Sequence, residues 1–422
     1  MTVSPRKGVM GMSGYMRNLL RLSVGVRRFL MTEAMYGIGI GMYSLVLNLH
    51  LLSKGMKEDE IGLLMSIGIL IMGALAIPVS ISANRIGRKK LLVSGILFIA
   101  AGSALYAIGN HSGIFYLAQT LVSIGLTLVE TTEVQLLFHY CGSRKEEASA
   151  FSLMFAVFTA FTGAGTLAAG YLPNSADSGD GYGLTLLLAA LVFVVHSMIR
   201  GLWLPSEGRE SETVRTSEVL EVNREVSSLR KKLPSGTLWL FSVFMALLGG
   251  AIAITGSFLN VIVKYRLNWM DDKVSILLAV SGVVLFAASL MTPYVLERFG
   301  HNVAIVSVFL ANILVFASLS WAMPVWMFTI VFLVRGGGLT MLSNLLDSQL
   351  MSAFKERERN LYAGMRSVFR SLGSSGAALL TGWILIGQDY EIPFFLTSVV
   401  LLLCLVYYIW FIRPILDKRL KE

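Results

Sequence analysis

The sequence predicts an all-α membrane protein: twelve transmembrane helices in two pseudo-symmetric six-helix bundles. Three observations carry this. The 422 residues are 55% apolar and only 14% charged, against about 25% charged in an ordinary soluble domain. Twelve windows along the chain reach the roughly 20 mostly apolar residues that a spanning helix needs. Short motifs recur at one fixed spacing between the first six windows and the last six. A mean hydropathy of +0.70 excludes a pair of soluble domains, and 40 glycines suit close helix packing in lipid.

In order, the spans run 29–52, 61–83, 90–109, 114–139, 148–172 and 182–204, then 237–263, 274–296, 302–322, 325–352, 360–386 and 393–413. The first 28 residues are basic, and no small-residue cleavage site follows the first apolar run, so that run reads as an uncleaved insertion signal. Arg17, Arg21 and Arg28 share one helical face, suited to anionic headgroups. Of the 35 Lys+Arg, five (Lys54, Lys57, Lys264, Arg266, Lys273) fall outside and three (Arg335, Arg366, Arg370) within spans, leaving 27 on the cytoplasmic side. This asymmetry places both termini in the cytoplasm of a multi-pass plasma-membrane protein. It also accounts for the net charge of +9 without a nucleic-acid partner. Residues 205–235 form the central polar stretch. There Val219, Val222, Val226, Leu229 and Leu233 recur at three- and four-residue steps, consistent with either an amphipathic cytoplasmic helix or a plain linker. The expected division is an N-terminal bundle over 1–204, a linker over 205–235 and a C-terminal bundle over 236–422. Cys141 and Cys404 have no metal or redox spacing and read as packing residues.

The halves are related by an offset of 213: Asn84-Arg85-Ile86-Gly87 with Glu297-Arg298-Phe299-Gly300, Gly125-Leu126-Thr127 with Gly338-Leu339-Thr340, and Arg144 with Arg357. Parallel repeats of this kind suit an alternating-access carrier. The loop Ser80-Ile81-Ser82-Ala83-Asn84-Arg85-Ile86-Gly87-Arg88-Lys89 resembles the major facilitator superfamily motif G-x-x-x-D-R-x-G-R-R/K. Arg85, Gly87, Arg88 and Lys89 match it; Ser80 replaces the glycine and Asn84 the aspartate. Span count, duplication and linker extend the resemblance to the whole chain. It implies the major facilitator fold and a drug- or metabolite-exporter-like transporter whose gating loop is Asn84, Arg85, Gly87, Arg88 and Lys89. In the family this loop latches the cytoplasmic side when the protein opens outward, and Asn84 in place of aspartate removes one charge from that latch. The family's span-four arginine is absent near Gly125, where Gln119 and Leu121 stand closest. On span five, Gly163, Gly165 and Gly170 carry an antiporter-like glycine pattern without its proline.

Ionisable residues within spans are costly, about 2.5–3.5 kcal/mol for a central charge on insertion scales, and mark candidate sites. Glu130 and Glu133 lie three residues apart on span four. They either carry protons beside the cavity or snorkel toward Arg144 and Lys145. Asp347 on span ten and Arg366 and Arg370 on span eleven sit at matching depths, which predicts a buried ion pair, with Asp347 a further proton-coupling candidate. Arg335, before Gly336, Gly337 and Gly338, contacts substrate or sets packing; Tyr36, Tyr43 and Asn344 are further substrate-binding candidates. Glu33 is within reach of Arg27 and Arg28, and His196 and Arg200 share one face of span six near the inner interface. Asn48 and Asn260 hold matching places near the outer ends of spans one and seven, fit to cap helices or gate that side. Gly37, Gly39 and Gly41 suit close helix contact.

No Walker loop, H-E-x-x-H or serine-elbow pattern is present, which argues against an enzyme and against ATP hydrolysis. The expectation is a monomeric secondary transporter with a small-molecule substrate, H+ as partner, and neither cofactor nor metal. The 20 methionines and abundant aromatics suit export of drug-like or metabolite compounds; uptake of a small organic nutrient and a non-transporting receptor are the alternatives.

Overall fold

The computed structural model describes residues 22–175, 180–206, 236–352, 354 and 356–419. Arg17, Arg21 and the periodic stretch 219–233 lie outside these. The first half comprises α1 (Val24–Ser53), α2 (Glu58–Ile86), α3 (Arg88–Ile108), α4 (Ser112–His139), α5 (Arg144–Ser175) and α6 (Gly181–Trp203). The second comprises α7 (Gly236–Gly256, extended by Leu259–Leu267), α8 (Asp271–Phe299), α9 (His301–Leu319), α10 (Val325–Ser352), α11 (Glu356–Leu385) and α12 (Ile392–Tyr407, running through a π-turn at Tyr408–Ile412 into Arg413–Arg419). No strand occurs among the described residues.

Local chemistry sets the ends. The Ser23 hydroxyl accepts from Val26 N–H at the start of α1, and Asp180 accepts from Gly183 N–H at the start of α6. Burial pushes the Asp180 carboxyl up, but hydrogen bonds from Lys54 and Gly183 outweigh it and hold it below the usual carboxylate range. Glu58, Asp59 and Glu60 fill the first turn of α2, where the helix dipole favours negative charge. Gly87 and Gly300, matched at the 213 offset, both have positive φ (104° and 71°). Only glycine adopts these backbones without strain, so the two half-equivalent loops need it.

Among the described residues, eleven helices are long and apolar enough to cross a membrane. The exception is α11, 30 residues long but interrupted by a polar stripe. The predicted seventh span, 237–263, is two helices. The break exposes the Ser257 carbonyl, which accepts from Asn48 Nδ2 at 2.8 Å.

The packing is symmetric. In the first half, α1 lies on α5 and α6, α3 on α4 and α6, and α2 on α4. In the second, α7 lies on α11 and α12, α9 on α10 and α12, and α8 on α10. The halves meet along α2 with α11 and α5 with α8, again images of each other. Glycines permit the closest approaches. An added methyl at Gly41 would overlap the Thr162 carbonyl, and one at Gly373 the Ala246 carbonyl. Across the halves, one at Gly382 would meet the Glu58 carbonyl at 2.5 Å.

The two faces of the molecule differ. On the face away from the chain termini the halves are clasped. Asn48 Nδ2 donates to Asn260 Oδ1 (3.2 Å), Asn260 Nδ2 to the Leu45 carbonyl (2.6 Å), and Tyr182 Oη to Asp271 Oδ2 (2.6 Å). Lys264 Nζ joins that last pair at 2.6 Å from Asp271. On the face of the termini, a cavity lies between the halves.

Candidate functional site

The cavity holds about 580 Å³ and is walled by Glu130 of α4 and by Arg366, Ser367, Arg370, Ser371 and Ser374 of α11. The α11 residues recur at three- and four-residue steps, so one helix face presents them all. This stripe is what makes α11 too polar for a lipid-facing span. Arg366 Nη2 lies 2.5 Å from Asp347 Oδ2, a partly exposed pair joining α11 to α10. Arg370 takes no part in that ion pair. Neither Arg370 nor Glu130 makes an ion pair or hydrogen bond with a described residue. Arg370 is attracted by Asp347 on α10 and, less strongly, by Glu130 across the cavity from the opposite half.

Behind the α4 wall lies a second polar group, inside the first half. The Arg200 guanidinium of α6 is fully buried. Its Nη2 pairs with Glu33 of α1, its Nη1 with Glu133 of α4 (3.1 Å), and its Nε donates to Thr32 Oγ1 (3.1 Å). The guanidinium carbon stands 4.5 Å from the centre of the Phe29 ring. The Tyr36 and His196 rings lie beside this group, tilted by 36° with their centres 5.8 Å apart. Glu33 is therefore satisfied by Arg200 and not by Arg27 or Arg28; Arg28 instead donates to the Trp203 carbonyl at 3.0 Å. Arg200, grouped from sequence with the cytoplasmic residues, is a core residue. Counting depth along each helix would not have paired them, because Glu33, Glu133 and Arg200 lie nine, six and three residues from the ends of their helices on the termini face.

The remaining candidates sit elsewhere. Tyr36 is buried against Phe158 and Phe193, and Tyr43 beside Tyr106. Asn344 Nδ2 donates to Ser289 Oγ at 3.2 Å, tying α10 to α8. Arg335 is 5% exposed and lies over the Phe332 ring at 4.5 Å, with no carboxylate within 4.0 Å among the described residues. None of these four lines the cavity. In the loop between α2 and α3, Arg88 Nε donates to Gln135 Oε1 (3.1 Å) and Lys89 Nζ to the Leu204 carbonyl (2.6 Å), which ties the loop to α4 and to the end of α6. Arg85 is exposed, and the Asn84 side chain lies outside the described residues.

The chain is thus a two-fold-related pair of six-helix halves around a central polar cavity, the architecture of a membrane carrier. The family model described as the Major Facilitator Superfamily matches residues 29–378. The chain belongs to that superfamily and is a multi-pass membrane transporter. Solved structures share the fold at low identity. The nucleoside transporter NupG superposes with a TM-score of 0.72 at 13% identity, covering 92% of this chain and 98% of that one. The inward open xylose transporter XylE from E. coli gives 0.69 at 14%, covering 92% and 95%. A bacterial homologue of the human lysosomal transporter Spinster, inward-facing and occupied, gives 0.73 at 13%, covering 95% and 97%. No curated protein sequence matches the chain.

Proposed function

We propose that the protein is a proton-coupled secondary transporter of the plasma membrane. It acts as a monomer, has both termini in the cytoplasm, and exports a small organic metabolite by alternating access. The observation that carries the proposal is the buried Glu33–Arg200–Glu133 group. Two carboxylates share one guanidinium. With all three ionised, one negative charge stays uncompensated away from water, which is costly. One bound proton removes it. Glu133 stands one turn along α4 from Glu130, which faces the cavity, so proton and solute act on the same helix. The Lys/Arg asymmetry supports the orientation. In that orientation the cavity lies on the cytoplasmic side, where an exporter loads.

The cavity wall bears on substrate and direction. Charged groups and serines suit a polar metabolite better than an apolar drug. They also favour a second reading, proton-coupled uptake of a small polar nutrient. Purified protein in liposomes tests both. An imposed pH gradient is expected to drive solute accumulation, and Glu33→Gln with Glu133→Gln to abolish that drive while solute exchange continues. Unchanged gradient-driven transport in the double variant overturns the proton assignment. Solute and proton moving in the same direction selects uptake.

A further inference from the structure

The cavity offers one charge from each half. Glu130 of α4 stands on one wall and Arg370 of α11 on the other, and neither has an ion pair with a described residue. Arg366, the other cation on the wall, is neutralised by Asp347 at 2.5 Å. The cavity therefore presents one anion and one cation with no ion pair to a described residue, facing the same space from opposite halves. We propose that its substrate is a small zwitterion, with a cationic amine against Glu130 and a carboxylate or similar anion against Arg370. This rests on the transporter reading above.

A solute with only one charge fails at this site for a physical reason. An anion would satisfy Arg370 and leave Glu130 facing it unpaired; a cation would do the converse. Each unpaired charge costs more as the cavity loses water. A dipolar solute satisfies both and leaves the closed cavity neutral. It also bridges the halves, so its contacts differ between open and closed states, as a ligand that drives closure requires. Ser367, Ser371 and Ser374 add hydroxyls along the same wall. The Ser374 hydroxyl already donates to the Gly249 carbonyl at 3.0 Å, leaving its oxygen as an acceptor. The wall suits a hydrophilic solute.

The test is binding, read by thermal shift of the purified chain in detergent at constant pH with no gradient. The probes are ω-amino carboxylates of increasing chain length, the matching amides (cation only) and the matching alkanoates (anion only). Zwitterions of one preferred length are expected to stabilise the protein, with amides and alkanoates at least about tenfold weaker. Glu130→Gln should weaken the zwitterion similarly and bring the alkanoate level with it. Arg370→Gln should do the same for the amide. Size-exclusion profiles establish that each variant is folded, and the exchanged pair Glu130→Arg with Arg370→Glu should restore zwitterion preference. Equal binding of a singly charged probe overturns the proposal. So does no shift with any zwitterion, or a shift indifferent to both substitutions. Glu33→Gln with Glu133→Gln should keep the zwitterion preference even where it abolishes proton drive, so the two proposals fail separately.

Discussion

Arg200 and Arg335 are both withdrawn from water, yet their surroundings differ. Arg335 rests on aromatic faces, 4.5 Å from Phe332 and 5.9 Å from Phe316, a contact that contributes on the order of 1 kcal/mol. Arg200 holds two carboxylates, a threonine hydroxyl and the Phe29 ring. Removing it leaves Glu33 buried and facing the half-buried Glu133. Arg200→Met should therefore destabilise the protein by about 3–5 kcal/mol, visible as a large fall in melting temperature. Replacing the whole group, Arg200→Met with Glu33→Gln and Glu133→Gln, should recover most of that loss. A triple variant no more stable than Arg200→Met would show that packing, not charge, makes Arg200 indispensable. Sequence alone identified Glu130, Glu133, Asp347, Arg366 and Arg370 as costly residues within spans, because hydropathy makes a charge conspicuous. It did not find the Arg200 partnership, because burial depends on which helix faces pack together and leaves no local period.

The helices were legible where their composition is uniform. Long apolar runs fixed α1 to α6 and most of the second half to within a few residues. Two places departed from the pattern, and both place polar groups between the halves. The polar stripe of α11 breaks its apolarity because that face lines a cavity. The break after Gly256 in α7 frees a carbonyl for Asn48. The resulting Asn48–Asn260 clasp is reciprocal, with each amide donating to the backbone of the other half, and it closes the face away from the termini. Losing it should tilt the equilibrium toward a state open on that face. In a background lacking Cys141 and Cys404, a cysteine at Ser375, which is buried opposite Ser66, reports this opening. Its labelling by a membrane-impermeant maleimide should rise severalfold when Asn48→Ala and Asn260→Ala are combined. Unchanged labelling would assign the asparagines to helix capping alone.

At the scale of the whole molecule, the 213-residue offset is the sequence trace of a symmetry that the packing repeats helix for helix. It announced two halves, but not which side chains meet between them, since the cavity depends on how the halves are placed. The α5–α8 seam shows that placement. An added methyl at Gly170 would collide with Ser275 near one face, whereas Gly163 and Gly282 farther along leave ordinary van der Waals room. Beyond them Phe151, Met291 and Tyr294 are exposed toward the termini. The α5–α8 seam, tight at one end and open at the other, is the geometry a rocking motion uses; the α2–α11 seam stays close along its length, where an added methyl at Gly73 would meet Ser371 at 2.5 Å and one at Gly364 would meet Ile77 at 3.2 Å. Spin labels at Phe151 and Tyr294, on the face of the termini, should therefore move closer when a bridging solute binds. Labels at Lys57 and Ile386, on the clasped face, should move apart in the same samples. The two changes must be anticorrelated, because a rigid half that closes at one end opens at the other. Both pairs shortening together would mean collapse of the cavity around its solute, and alternating access would then be excluded for this motion.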